Sequence, residues 1–153
     1  MTSDENHPEL PLTKALLPSV PWYARWFGRL NNRRNESAVN TVLAGREERA
    51  VMGAWRDVLP DDVLAQRVLA AVGTEIGWHR PLFIPQDEFF VVMKLWWGGV
   101  ADCMERERCF WALQKVFGVN PSASFVPDMI DKTLGDFVTR FWDDRGPKTA
   151  GNG

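Results

Sequence analysis

Cysteine and histidine are scarce in this sequence of 153 residues, which holds two of each. Cys103 and Cys109 lie six positions apart in a stretch with helical periodicity, so their side chains would face different directions and stand roughly 9 Å apart along the axis. That separation argues against an internal disulfide. Two reduced thiols, together with a polar and acidic start that is unlike a secretion signal, predict a cytoplasmic protein.

The sequence also lacks the motifs of metal-dependent and nucleotide-dependent chemistry. It contains no C-x-x-C or H-E-x-x-H pattern and no glycine-rich phosphate loop. His79 has no acid or thiol paired with it in the sequence, and the adjacent acids Asp87 and Glu88 are expected to cap the helix that follows them rather than to bind a cation or act as a base. We therefore predict no enzyme, no metal and no cofactor, whereas binding of a small molecule stays open.

Long apolar runs are absent as well, because no stretch approaches the roughly 18 residues that a membrane-spanning helix needs. Tryptophan, by contrast, is abundant, with eight residues in the chain, and such rings dominate cores and interfaces. Charge is uneven despite a net value of −2, since residues 20–56 hold seven arginines against three glutamates. A basic segment on an acidic body indicates an anionic partner or docking of the segment on the body. Nucleic acid is the least favoured partner because the whole chain is acidic.

An aromatic and basic segment, PWYARWFGRLNNRR, covers residues 21–34. Its rings and its arginines recur at helical spacing on opposite faces: Trp22, Trp26 and Phe27 on one, and Arg25, Arg29 and Arg33 on the other. The pattern predicts an amphipathic helix that starts at Pro21 and ends near Asn31. This helix could lie on an anionic membrane surface, with its rings at the interface and its arginines toward phosphates, or it could pack on the body of the protein.

Helical spacing continues through most of the remaining chain, and no stretch of four or more residues alternates as a strand would. Start and stop signals predict one or two helical pieces before residue 58, and further helices after Asp61, after Gln86, after Asp102, and after Asp131 or Thr133. The fold is therefore predicted to be all-α. Its parts are a disordered tail over 1–20, an aromatic-basic helical arm over 21–58, a helical bundle over 59–144, and a disordered tail over 145–153.

The stretch ADCMERERCFWALQKVFG, residues 101–118, resembles the second main helix of the acyl carrier proteins. Ala101-Asp102-Cys103-Met104 stands where that family has Ala-Asp-Ser-Leu, and Phe117-Gly118 follows at a matching distance. Thr133-Leu134 resembles the start of the last helix of the family. Because the order of elements from about residue 60 to 142 is also similar, the resemblance implies a small acyl-carrier-like bundle with an extra N-terminal helix.

The chain departs from this family at the attachment position. The family's serine bears a phosphopantetheine arm, whereas Cys103, next to Asp102, offers no hydroxyl group to be modified. Acids and arginines also alternate over residues 105–108, so this helix lacks the negative charge with which the family attracts basic partners. The resemblance therefore implies a carrier-like scaffold that carries no acyl chain. We predict a non-enzymatic interaction module that binds a protein partner through helix 102–118 or an aromatic groove.

Two further expectations concern the thiols. A helix N-terminus lowers the pKa of a thiol, so the alternative function is that of a thiol-bearing carrier or redox protein that uses Cys103. Cys109 stands beside Phe110 and is expected to pack in the core as a small apolar side chain. In the case of the interaction module, the N-terminal helix would add association with a membrane surface.

Overall fold

The structure, a computed structural model, describes residues 10–18, 28–96, 101–119 and 127–144, with the backbone alone at 28–31, 101–103 and 144. A short 3-10 turn, Lys14–Leu16, comes before six helices. These are α1 (Gly28–Gly45), α2 (Glu48–Trp55), α3 (Asp62–Ile76), α4 (Phe89–Val92), α5 (Ala101–Phe117) and α6 (Leu134–Asp144). Over those ranges the only β-type pairing is an isolated bridge between Glu88 and Thr133. The predicted all-α, small-bundle fold is confirmed.

The starts of α3 and α6 each follow from a local side-chain cap. Asp61 precedes α3, and its Oδ1 accepts a hydrogen bond of 2.7 Å from the Leu64 N–H. Thr133 precedes α6 and forms a reciprocal pair with Asp136, each side chain accepting from the other residue's N–H at 3.2 and 3.1 Å. Such caps satisfy amide groups that the first helical turn leaves without partners. Both predicted starts are confirmed, with Thr133 rather than Asp131 as the cap of α6.

The ends of α3 and α5 each use a glycine with positive φ. Gly77 has a φ of 90°, and Gly118 has a φ of 66°, a region in which other residues are strained. After each glycine the chain turns back, so that the Trp78 N–H donates to the Gly73 carbonyl at 2.8 Å and the Val119 N–H to the Gln114 carbonyl at 3.1 Å. Helix α5 therefore ends at Phe117, directly before the glycine.

One apolar core receives side chains from all six helices and from the loops between α3 and α4. Helix α5 packs on α3 and α6, α2 packs on α3, and α4 packs on α6. The core includes Val39 and Leu43 of α1 and Trp55 of α2, and the Trp55 Nε1–H donates to the Phe83 carbonyl at 2.7 Å. The described part of the predicted arm, residues 32–58, is thus built into the same core as residues 59–144, which corrects its assignment to a separate arm.

Helix α1 also differs from its predicted end near Asn31. It continues to Gly45, because Val39 and Leu43 lie one turn apart and are fully buried, and this burial outweighs the low helix propensity of the asparagines. The predicted start of that helix lies outside the described residues.

The N-terminal segment is ordered where a disordered tail was predicted. The Leu12 side chain is fully buried, its N–H donates to Asp87 at 2.7 Å, and its carbonyl accepts from the Glu88 N–H at 2.9 Å. The prediction of a tail over 1–20 is therefore wrong for residues 10–18. The prolines of this segment prevent a regular helix, but an extended backbone still folds onto a body that satisfies its polar groups.

Candidate partner-binding surface

The predicted attachment position lies in the first turn of the described part of α5. The helix already includes Ala101, so Asp102 is not the residue that precedes it, as the predicted cap would require. The side chains of Asp102 and Cys103 lie outside the described residues, and the reactivity of Cys103 stays a prediction. Cys109 is a free thiol with 1% of its surface exposed, and burial raises its pKa to about 12. Its expected place in the core is confirmed, and it is no nucleophile.

The inner face of α5 is held by aromatic packing on α6. The rings of Phe110 and Phe117 lie 5.2 and 5.8 Å from the ring of Phe141, measured between centroids. Leu113, between them, is fully buried. Aromatic pairs at these separations add to the stability that burial provides. Because the inner face is fixed in this way, the side chains on the opposite side of α5 point away from the core.

The outer face of α5 carries two large apolar side chains that the fold leaves in solvent. Met104 is 56% exposed and Trp111, two turns further on, is 52% exposed. Exposed charged residues lie between and beside them, namely Glu107, Arg108 and Lys115. All five recur at spacings of three, four or seven residues and therefore form one stripe. We call this stripe the outer face of α5.

The charges of the outer face are arranged asymmetrically. At about 100° per residue, Arg108 and Lys115 fall on one flank of the two apolar side chains and Glu107 falls on the other. Methionine, tryptophan and arginine are enriched at protein–protein interfaces relative to the rest of the surface. The arrangement thus offers two apolar anchors with a basic edge. Helical spacing in the sequence could have revealed the stripe. It could not show that the stripe is exposed, because methionine and tryptophan are also typical core residues.

The predicted aromatic-basic contacts are described only in small part. Trp22, Arg25, Trp26 and Phe27 lie outside the described residues, and of Arg29 only the backbone is described, within α1. Arg33 is exposed on α1. The structure therefore places one of these six residues at the surface and does not test whether they act together.

A buried ion pair between Arg46 and Asp87 is the main polar feature that the sequence did not reveal. The two Nη atoms of Arg46 donate to the two carboxylate oxygens of Asp87 at 2.6 and 2.7 Å. Their side chains are 1% and 0% exposed. Burial raises the pKa of Asp87, and the hydrogen bonds from Arg46 and from the amides of Leu12 and Ile84 act against that rise.

The predicted capping role of this acidic pair is wrong. Glu88 is the residue before α4 and makes no side-chain cap, while Asp87 accepts from Leu12 and Ile84 instead of from the first turn of α4. A four-residue helix needs little capping, whereas a buried arginine needs a carboxylate. Arg46 lies 41 residues away, so no local pattern could have indicated the pair.

A cleft of about 420 Å³ lies between the end of α3 and the following loop, with His79 on its wall. Lys94 adjoins this cleft, with its Nζ 3.7 Å from the position that a Cβ of Gly77 would take. The Lys94 ammonium donates to Glu36 at 3.0 Å and lies 4.5 Å from the centroid of the Trp78 ring. The lysine is therefore engaged in structural contacts. Among the described residues, the lining of the cleft includes no acid or thiol that could act with His79.

Two properties of the described residues bear on the class of protein. In this part of the chain no three side chains are placed to hold a metal ion together. The same ranges contain no helix with the length and hydropathy needed to cross a bilayer.

Comparison of the chain with protein-family models, with curated proteins and with solved structures finds no match. The acyl-carrier resemblance of residues 101–118 accordingly stays a prediction.

Proposed function

We propose that this chain is a non-enzymatic interaction module that binds a protein partner through the outer face of α5. The observation that carries the proposal is the exposure of Met104 and Trp111, at 56% and 52%, on one stripe of a helix whose other side is packed in the core. Single exposed apolar side chains are ordinary, but a paired methionine and tryptophan beside an arginine have the composition of an interface centre.

The charges indicate what the partner offers. Trp111 would enter an apolar pocket, and carboxylates beside that pocket would face Arg108 and Lys115 on the basic flank. Such charges favour encounter and orientation, whereas the apolar side chains that the complex would bury supply most of the affinity. The partner is therefore an acidic protein surface with an apolar depression, the reverse in sign of the basic partners that the acyl carrier family attracts.

The acyl-carrier resemblance is compatible with this proposal. It concerns the helix that carries the outer face, and it implies a scaffold that has lost its modified serine. Under the proposal, α5 contacts the partner protein, and no phosphopantetheine arm is attached to Cys103. Intact mass after expression with a phosphopantetheinyl transferase tests this, because an added arm on the wild-type chain would instead support the alternative carrier function.

The docking proposal is tested with variants of the full-length chain. A double variant, Met104→Ala with Trp111→Ala, should lose a partner that the wild-type chain retains in affinity capture from its own cells. The matched control is Val63→Ala, which removes another apolar side chain, 65% exposed, from α3.

The captured protein is then purified and its dissociation constant measured by calorimetry. We expect the double variant to bind at least about tenfold more weakly, because truncation of interface anchors commonly costs 2 kcal/mol or more. Equal affinities for the wild-type chain and the double variant would refute the proposal.

We further propose that the N-terminal arginines bring the module to an anionic membrane surface. Support comes from the exposure of Arg33 on α1 and from the aromatic-basic pattern of residues 21–34. Replacement of Arg25, Arg29 and Arg33 by glutamate should reduce co-sedimentation with phosphatidylserine vesicles. Equal pelleting of both chains would exclude this mode. A reducing, cytoplasmic setting is supported by the free thiol of Cys109.

A further inference from the structure

The N-terminal segment Leu10–Lys14 lies in a groove formed by Arg46, the loop before α4 and Glu88. We call it the N-terminal strap. Its main chain is held by groups of the body. The Leu12 N–H donates to Asp87 at 2.7 Å, the Glu88 N–H donates to the Leu12 carbonyl at 2.9 Å, and Arg46 donates to the Leu10 carbonyl at 2.7 Å. Recognition of this kind depends on an extended backbone rather than on particular side chains.

Two side chains of the strap add selectivity. Leu12 is fully buried in the core, whereas Leu10 is 80% exposed. The Lys14 ammonium lies 3.3 Å from Asp131 and 4.7 Å from the centroid of the Phe90 ring. The groove therefore holds a leucine in its apolar part, and Lys14 meets Asp131 and Phe90 at its exposed rim.

The groups that line the groove are also held by contacts that do not involve the strap. Arg46 donates to the Leu82 carbonyl at 2.9 Å, and Asp87 accepts from the Ile84 N–H at 2.9 Å. The two charges hold each other in a bidentate pair. A site whose donors and acceptors are already oriented costs little further ordering when a ligand binds.

We propose that this groove is a peptide-binding site for extended Leu-x-Lys segments of another protein, and that the chain's own residues 10–14 occupy it in cis. An incoming peptide would make the same backbone contacts and place its leucine where Leu12 lies. The strap then acts as an internal competitor, since its covalent linkage gives it a high effective concentration. This surface differs from the outer face of α5, so the inference does not depend on the proposed function.

The test uses the full-length chain with a protease site inserted between residues 18 and 28. A fluorescein-labelled peptide with the sequence of residues 8–18 is titrated into the intact and the cleaved protein, and binding is followed by fluorescence anisotropy. We expect the peptide to bind the cleaved protein at least about tenfold more tightly than the intact one, because cleavage removes the linkage of the competitor.

Two variant peptides give matched controls. Leu12→Asp in the peptide should weaken binding at least about tenfold, because a carboxylate would enter the apolar pocket. Leu10→Ala should leave binding unchanged, because that side chain is exposed. The inference is overturned if the Leu12→Asp and Leu10→Ala peptides bind with equal affinity, or if cleavage does not increase binding. It is also overturned if circular dichroism shows that the cleaved body unfolds when the strap leaves.

Discussion

Replacing Asp87 with asparagine removes one charge from the buried pair and keeps the shape of the side chain. Arg46 would then hold an unpaired cation at 1% side-chain exposure, and changes of this kind cost about 3–5 kcal/mol. Asparagine retains one acceptor oxygen for the Leu12 or Ile84 amide, so most of the loss would come from the charge. Because typical unfolding free energies are about 5–15 kcal/mol, we expect Asp87→Asn to remove a large fraction of the stability.

Urea unfolding followed by tryptophan fluorescence and circular dichroism measures this change. Asp62→Asn is the matched control, because Asp62 forms a hydrogen-bonded ion pair with Arg56 at the surface, where solvent screens the charges. We expect the control to be far less destabilised. Arg46→Met combined with Asp87→Leu should cost less than the sum of the two single changes, since it leaves no uncompensated charge.

The reasoning would be refuted by an Asp87→Asn protein whose unfolding free energy lies within about 1 kcal/mol of the wild-type value. Such a result would mean that water or another group compensates Arg46, and that the carboxylate does not organise this part of the fold.

Three further changes test local features. Thr133→Ala should lower the unfolding free energy by about 1 kcal/mol through loss of the α6 cap, whereas an unchanged urea midpoint would contradict the cap. Gly135→Ala should lower the melting temperature, because a Cβ there would lie 2.8–2.9 Å from the Cβ and carbonyl oxygen of Pro85; a higher melting temperature would contradict this packing. Cys109 should escape iodoacetamide in the native state and react after denaturation, and labelling of the native chain would show that the thiol is accessible. Since its folded pKa is raised, Cys109 should make stability fall as pH rises from 9 toward 12, by up to roughly 1.4 kcal/mol per unit, and the fall should be smaller in Cys109→Ala.

Features that depend on neighbours in the sequence could be predicted. The caps at Asp61 and Thr133 lie within three residues of the groups they bind, and the core positions of α6 follow from helical spacing. Asp87 could not be assigned in this way, because its partners Arg46 and Leu12 lie 41 and 75 residues away. The prolines at the N-terminus similarly exclude a helix but carry no information about a groove that distant residues form.

The outer face of α5 likewise has features that the sequence predicts and one that depends on distant residues. The sequence predicts the helix after Asp102 and its apolar side, and the structure confirms that Cys109 faces the core. The sequence does not show that Trp111 stays in solvent, because a tryptophan in an amphipathic helix is also a typical core residue. Exposure of Trp111 depends on which elements cover α5, and these are α3 and α6 on its other side.

Photo-crosslinking in the native cells tests the central claim most directly. Benzoylphenylalanine is introduced in place of Trp111 in one full-length chain and in place of Val63, exposed on α3, in another. We predict a single cross-linked protein from position 111 that is absent from position 63 and that an excess of untagged wild-type chain suppresses. The same products from both positions, or none from position 111, would contradict the assignment of the outer face of α5 as the binding surface.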